Sequence, residues 1–323
     1  MCPENTSMEK AVDISVVIPV YNERESLGEL HARIKTVLDE LDMSREIIFI
    51  DDGSTDGSGV AIESIMVVDS SVSLIRFLAN LGKADALQAG FDAAHGEVIV
   101  TMDGDLQDDP AEIPRLLDAL ENGYDLVSGW KKERRDPLSK RLPSRFFNAV
   151  VRYFSGLPLH DFNCGLKAYR RETVKSLQLY GELHRYIPVL AKFNGYRVGE
   201  IDVRHHPRKY GHSKYGVKRF ISGFLDLLTV ILLTRYTSRP LHFFGTVGLT
   251  FCFIGGLVDL YIVKLWVFSG FRHIGGRQPL LLGGVFLFLL GVQFISTGLL
   301  AELITHSRME KDRGRKRPKT LPS

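Results

Sequence analysis

Two stretches in the last third of the chain constrain its structure more than any other feature. From Pro240 to Val258 there is no Lys, Arg, Asp or Glu, and the apolar run continues past Asp259 to Val263; from Gln278 to Ala301 there is again no charge. Each run is about 20 residues, enough for a helix rising ~1.5 Å per residue to cross a hydrocarbon core of ~30 Å. A soluble core helix so long and so uniformly apolar is rare, so two membrane spans are expected. Asp259 and Lys264 fall near the end of the first run and read as interfacial, with Lys264 reaching back to water. Gly245, Gly248, Gly255, Gly256, Gly283, Gly284 and Gly291 would let helices approach closely, which leaves a homo-oligomer open.

Basic residues set the expected orientation. Arg308, Lys311, Arg313, Arg315, Lys316, Arg317 and Lys319 follow the second run, and Lys209, Lys214, Lys218, Arg219, Arg235 and Arg239 precede the first; only Arg272 and Arg277 lie between. Both termini and the region before the spans are therefore expected in the cytoplasm. The first apolar run of the chain, Ile14 to Val20, is too short for a signal peptide. Val217 to Thr234, apolar at Phe220, Ile221, Phe224, Leu225, Leu228 and Ile231, reads as an amphipathic helix lying in the membrane interface.

The rest is ordinary globular sequence. Across the 323 residues, 41 Lys and Arg stand against 38 Asp and Glu, a net of +3, too even for a dedicated nucleic-acid binder. Cys2, Cys164 and Cys252 are scattered and give neither a disulfide framework nor a zinc site. Up to residue 128, β-rich runs alternate with helical ones: strands at 14–20, 46–51, 73–77, 97–102 and 125–128, and helices at 26–41, 58–67, 83–94 and 110–121. That alternation predicts an α/β domain built on a mostly parallel, Rossmann-like sheet, with ligands beyond the carboxyl ends of the strands. The polar motifs fall at those ends: Asn22 and Glu23, then Asp51, Asp52 and Asp56, then Asp103 and Asp105. So many carboxylates on one edge call for a cation or for ligand hydroxyls. Neither GxxxxGK[ST] nor GxGxxG follows the first strand, which argues against a P-loop NTPase and a nicotinamide dehydrogenase.

Asp103 and Asp105 flank one glycine, so both can point to the same side and hold a hard divalent ion, Mg²⁺ or Mn²⁺. Asp51-Asp52-Gly53-Ser54-Thr55-Asp56 is also good turn chemistry. Lys131, Lys132, Arg134, Arg135, Lys140, Arg141 and Arg145 cluster after the fifth strand; facing a membrane, some of them suit a lipid phosphate, and Lys131, Arg141 and Arg145 are the candidates. Cys164 reads as a small buried thiol.

Together these residues carry a resemblance. Val17-Ile18-Pro19-Val20-Tyr21-Asn22-Glu23, then Asp51–Asp56, then Asp103-Gly104-Asp105-Leu106-Gln107-Asp108-Asp109-Pro110 resemble the family 2 glycosyltransferases of the GT-A fold. With two C-terminal spans, the chain resembles the polyprenyl-phosphate branch, which includes dolichol-phosphate mannose synthases and bacterial polyprenyl-phosphate glucosyltransferases. The resemblance implies that Pro19, Tyr21 and Glu23 line the base and ribose of a UDP- or GDP-sugar and that Asp52 contacts the base. It implies Asp105 as the direct metal ligand, Asp103 on ribose and metal, and Gln107 in support. His160-Asp161-Phe162-Asn163-Cys164-Gly165-Leu166-Lys167 resembles the active-site segment, with Asp161 beside the reacting sugar. Arg208 and Lys214, in 204–214, are the candidates for donor phosphate contacts in a mobile loop.

The expected layout is an N-terminal tail (1–12), a GT-A domain (13–215), a juxtamembrane helix region (216–239), two spans with a short extracytoplasmic turn (240–302) and a basic tail (303–323). The expected reaction is inverting transfer of a hexose, glucose or mannose first, to polyprenyl phosphate. The alternative is a hydroxyl acceptor such as diacylglycerol or a growing glycan; a non-catalytic scaffold of the same shape is the remaining rival.

Overall fold

Ile14, Val16, Val17, Ile18 and Val20 are all no more than 1% exposed. β1 (Ile14–Val20) is thus buried on both faces, as an inner strand of a helix-covered parallel sheet must be. In the computed structural model, which describes residues 12–132, 148–207, 240–269 and 277–315, β1 lies between β2 (Arg45–Asp51) and β4 (Val98–Thr101) and is parallel to both. β3 (Val72–Arg76) extends the sheet past β2, also in parallel. α1 (Arg24–Glu40) buries Leu27, Leu30, Ile34 and Leu38, one helical face, against this core. α2 (Ser58–Val68), α3 (Lys83–Ala93) and α4 (Ile113–Glu121) complete the alternation expected from the sequence. The helix expected from Pro110 opens as a 3₁₀ turn, Pro110–Glu112, where the Asp109 carboxylate accepts the Ala111 amide at 3.1 Å.

The sheet then departs from simple alternation. β5 (Leu126–Trp130), α5 (148–155), β6 (Lys167–Arg170), α6 (Arg171–Lys175), α7 (Ile187–Phe193) and β7 (Val198–Asp202) follow. The strand order is β3-β2-β1-β4-β6-β5-β7, with β6 inserted antiparallel between β4 and β5. Its register sets Lys167, where β6 begins, opposite Thr101, where β4 ends. The segment that leads into β6 is therefore delivered to the carboxyl edge of the parallel strands, beside Asp103.

Away from that edge, the Asp69 carboxylate closes the α2–β3 turn, accepting from the Ser71 amide and hydroxyl and lying 2.8 Å from His31 Nε2. Burial works against its ionisation, but these hydrogen bonds prevail and bring it down to about 2 from the usual 3.8. A depressed carboxylate stabilises the fold above its unfolded pKa and loses that contribution as pH falls through the folded one. Asp69 should supply about 2 kcal/mol above pH 4, lost between about pH 4 and 2. The difference in unfolding temperature between wild type and Asp69→Asn, scanned in detergent from pH 6 to 2, is expected to shrink over that window; a constant gap would contradict it.

The C-terminal residues from Ile231 form a unit of their own, with α8 (Pro240–Ser269) and α9 (Gln278–Arg315) packed on each other. Only 17% and 11% of their most apolar windows are buried, so neither is the core helix of a soluble fold, and both are long and apolar enough to cross a membrane. Glycines at the seam permit close approach: a Cβ on Gly248 would sit 2.6 Å from the Gly291 carbonyl oxygen, and one on Gly255 2.6 Å from that of Gly284. Gly256 and Gly283 have no such neighbour. The glycines thus serve mainly the contact between the two helices of one chain. α8 runs ten residues past Asp259 to Ser269, and the Asp259 Oδ1 is buried against Gly284. The proposed interfacial helix at 216–239 lies outside the described residues.

Candidate active site

The site is assembled on the carboxyl edge from three loops. The first is the turn after β2. Asp51 accepts the Ser54 amide at 2.9 Å, and Asp56 accepts the Ser58 amide and hydroxyl and the Arg24 amide at 3.0 Å. These two carboxylates do turn and helix-start work. Gly53, at φ +69°, is required here: a Cβ would lie 2.5 Å from the Ala79 carbonyl carbon. Asp52 is buried, and its two oxygens accept the Leu81 and Gly82 amides at 2.7 and 3.0 Å, which fixes the entry to α3. Burial, the larger effect, pushes its carboxyl up, and those amides pull it down. Tyr21 is 38% exposed at the end of β1, and Glu23 begins α1, its amide donating to Ser58 Oγ at 3.0 Å.

The second loop carries Asp103-Gly104-Asp105. Ser26 Oγ, buried at the start of α1, donates to the Gly104 carbonyl at 2.5 Å and pins the glycine between the two acids. Asp105 is 6% exposed and accepts the Gln107 amide at 3.2 Å. Leu106 follows at φ +61°, left-handed for a buried branched residue. Such strain is concentrated where a loop must be aimed. Gln107 Nε2 lies 3.5 Å from His205 Nε2, and His206 pairs with Asp109 at 3.1 Å.

The third loop, 160–166, feeds β6. Glu200 of β7 accepts both the His160 and Asp161 amides at 2.9 Å and lies 2.8 Å from His160 Nδ1, while the His160 ring stacks on Trp130 at 4.1 Å. Asp161, 2% exposed, accepts the Asn163 amide at 3.1 Å. Gly165 packs against Asp103, where a Cβ would stand 2.6 Å from the carboxyl carbon. Gly165→Ala should displace Asp103 and lower any activity that depends on that carboxylate about 100-fold while the chain stays folded; unchanged activity would contradict this packing.

Lysines neutralise the acids. Lys83 Nζ meets Asp103 Oδ1 at 2.5 Å, and Lys131 Nζ meets buried Asp108 at 2.9 Å. Burial would raise Asp103, but Lys83, then Lys131 and Lys167, outweigh it and hold the carboxyl well below the usual range. Burial would likewise lower Lys131, but Asp108 holds it above the usual lysine value. Cys164 is buried, and that burial pushes its thiol up to about 12, so it is inert.

Asp103, Lys83, Lys167, Asn163, His184 and Pro19 line one small pocket with a cavity volume of about 10 Å³, room for about one water. Of the residues expected from sequence, Pro19 and Asp103 are in its wall and Asp105, Asp161 and Lys131 are in the loops behind it; Tyr21, Glu23, Asp52 and Gln107 stand along the same edge. Arg141, Arg145, Arg208 and Lys214 lie outside the described residues. Sequence reasoning missed Lys83, His184 and Glu200, and it quoted Asp108 and Lys167 inside motifs without giving them a role. One signal was available: Lys83 opens α3, where the helix dipole disfavours a cation unless an acid lies opposite. Asp103 and Asp105 offer oxygen alone, which suits Mg²⁺ or Mn²⁺. Among the described residues no third His, Cys, Asp or Glu joins them, so the remaining positions would fall to phosphate oxygens and water.

Comparison with known proteins agrees with this edge. The Glycosyl transferase family 2 signature matches residues 15–178. The chain is 39% identical over 308 residues to a dodecaprenyl-phosphate galacturonate synthase of Rhizobium johnstonii, covering 94% of this chain and 90% of that one. It is 38% identical to an undecaprenyl-phosphate 4-deoxy-4-formamido-L-arabinose transferase of Shewanella sediminis, covering 90% and 86%. In structure it is similar to the glucosyl-3-phosphoglycerate synthase of Mycobacterium tuberculosis crystallised with Mn²⁺ and UDP-glucose, with a TM-score of 0.52 and 22% identity over 69% of this chain and 79% of that one. The sheet and its loops are those of the GT-A fold, and the chain belongs to glycosyl transferase family 2.

Proposed function

We propose that the protein transfers a sugar from a nucleoside diphosphate to a polyprenyl phosphate at the cytoplasmic face of a membrane. One observation carries this reading: the similarity to polyprenyl-phosphate transferases runs over 94% of the chain, through the catalytic domain and both apolar helices alike. The sugars in the relatives' names are galacturonate and formamidoarabinose. Neither is the glucose or mannose expected from the sequence, so that expectation is set aside.

A phosphate monoester has a second pKa of about 6 and is largely ionised at neutral pH. Its oxygen attacks the anomeric carbon. The bond from that carbon to the β-phosphate oxygen breaks, its electron pair leaves with the nucleoside diphosphate, and the lipid product is a phosphodiester of inverted configuration. No proton need be removed from the acceptor, so Asp161 serves by holding a sugar hydroxyl in register. Asp103 and Asp105 would hold Mg²⁺ or Mn²⁺, whose charge would offset that developing on the leaving diphosphate. Pro19, Tyr21, Glu23 and Asp52 would bound the nucleoside, with Gln107 supporting the acidic loop. Arg208 and Lys214 would contact the donor phosphates, and Arg141 and Arg145 the lipid phosphate; Lys131, expected from the sequence to join them, is buried and paired with Asp108 instead.

The test is nucleoside diphosphate release from UDP- and GDP-sugars, with and without undecaprenyl phosphate. Release is expected to require the lipid phosphate and a divalent ion, and to stop in excess EDTA. Equal release with undecaprenol or diacylglycerol would overturn the acceptor assignment.

A further inference from the structure

We propose that Glu200, on the edge strand β7, is a positioning residue of the transfer: it acts on the reacting sugar through Asp161, whose place in the site it sets. This rests on the transfer reading above, in which Asp161 holds a sugar hydroxyl, and names what aims that carboxylate. The argument begins with one oxygen. Glu200 Oε1 accepts the amides of two successive residues, His160 and Asp161, each at 2.9 Å. The peptide plane between them is thereby fixed against β7, and with it the direction in which the Asp161 side chain leaves the backbone. Glu200 Oε2 lies 2.8 Å from His160 Nδ1, and the His160 ring stacks on Trp130 at the end of β5. In the sheet Glu200 pairs with Ser128 of β5, so both holds on the loop come from neighbouring strands.

The loop is held from its other side as well. From α5, Asn148 Nδ2 donates to the His160 carbonyl at 2.9 Å and Arg152 Nε to the Leu159 carbonyl at 3.0 Å. Residues 159–161 are thus clamped between α5 and β7, and Asp161 is the last residue in the clamp. The Glu200 side chain is only 8% exposed, and among the described residues its basic partner is His160. A buried carboxylate is a costly means of joining a loop to a strand, and an apolar contact would serve stability better. What it provides is aim. Charge-assisted hydrogen bonds to two consecutive amides leave the peptide between them one orientation. Asp161 needs that aim, because a group that orients a reactant loses about 100-fold when it is displaced by ~1 Å.

Full-length protein in detergent with Mg²⁺ is assayed by nucleoside diphosphate release, and binding of UDP and GDP is measured on each variant. Glu200→Ala should lower turnover about 100-fold yet leave nucleoside diphosphate binding within about threefold of wild type, because the nucleoside is assigned to Pro19, Tyr21, Glu23 and Asp52. Glu200→Gln keeps an oxygen for both amides, and its amide nitrogen can donate to Nδ1 of the other imidazole tautomer, so turnover should return to within about tenfold of wild type. The deciding comparison is a cycle with Asp161→Ala. In that background Glu200→Ala should cost nothing further, since a residue that acts only through Asp161 has nothing left to aim. His160→Phe keeps the stack on Trp130 and removes the ring bond; it should lose about tenfold, again with no further loss beside Asp161→Ala, and it carries the test if Glu200→Ala does not fold. Losses that multiply in the double variants would overturn the proposal, and so would wild-type turnover in Glu200→Ala. Wild-type release that ignores undecaprenyl phosphate would refute the transfer reading instead, and the cycle, read on that same release, would still decide the role of Glu200.

Discussion

Asp105→Ala should lower transfer by roughly 1,000-fold or more while the protein remains folded and membrane-bound. Asp105 accepts the Gln107 amide in the local turn and sits one glycine away from Asp103. Asp105→Asn keeps an oxygen to accept that amide and removes the charge, so it separates the turn from the electrostatics. Both variants should be inactive, and both should unfold near the wild-type temperature. Turnover measured by nucleoside diphosphate release, with circular dichroism as the folding control, checks this. Wild-type activity in either variant, above all in excess EDTA, would contradict the role given to the acidic pair.

The second large effect is on stability. Asp108 is 1% exposed; Lys131, itself only 11% exposed in its side chain, is its counter-charge. Lys131→Met strands a buried carboxylate, which costs about 3–5 kcal/mol. For a domain of this size, that is a fall of roughly 10 °C in unfolding temperature. Asp108 also accepts the Asp103 amide at 3.3 Å, a bond an asparagine can keep. The double variant Lys131→Met/Asp108→Asn should therefore regain most of the loss. Thermal unfolding in detergent measures both; a single variant as stable as wild type would show that the pair is not buried as described.

The first half of the fold was legible because each element there announces itself locally. β1 and β2 are continuous apolar runs, α1 shows a 3.6-residue period, and Gly, Asp and Ser mark the turns. β6 was not legible. Lys167-Ala168-Tyr169-Arg170 is four residues with a charge at each end, and its antiparallel insertion depends on partners 39 to 72 residues away. The same insertion hides the cationic side of the site. Lys167 faces inward with Tyr169, two residues on, because side chains alternate along a strand, but nothing local tells an inward lysine from a solvated one. The acids at the strand ends were readable as motifs. The lysines that neutralise them were not, because Lys83, Lys131 and Lys167 meet only in three dimensions. The expectation that a cation or ligand hydroxyls must balance those acids is thus extended: the chain supplies part of the counter-charge itself.

The most direct test of the central claim is the identity of the lipid product. Purified protein is given a competent nucleotide sugar and undecaprenyl phosphate, and the extracted lipid is weighed by mass spectrometry before and after mild acid. A single glycosyl residue on the lipid phosphate, released by mild acid to return undecaprenyl phosphate, is the expected result. An acid-stable glycoside on a lipid or glycan hydroxyl, with undecaprenyl phosphate unconsumed, would contradict it.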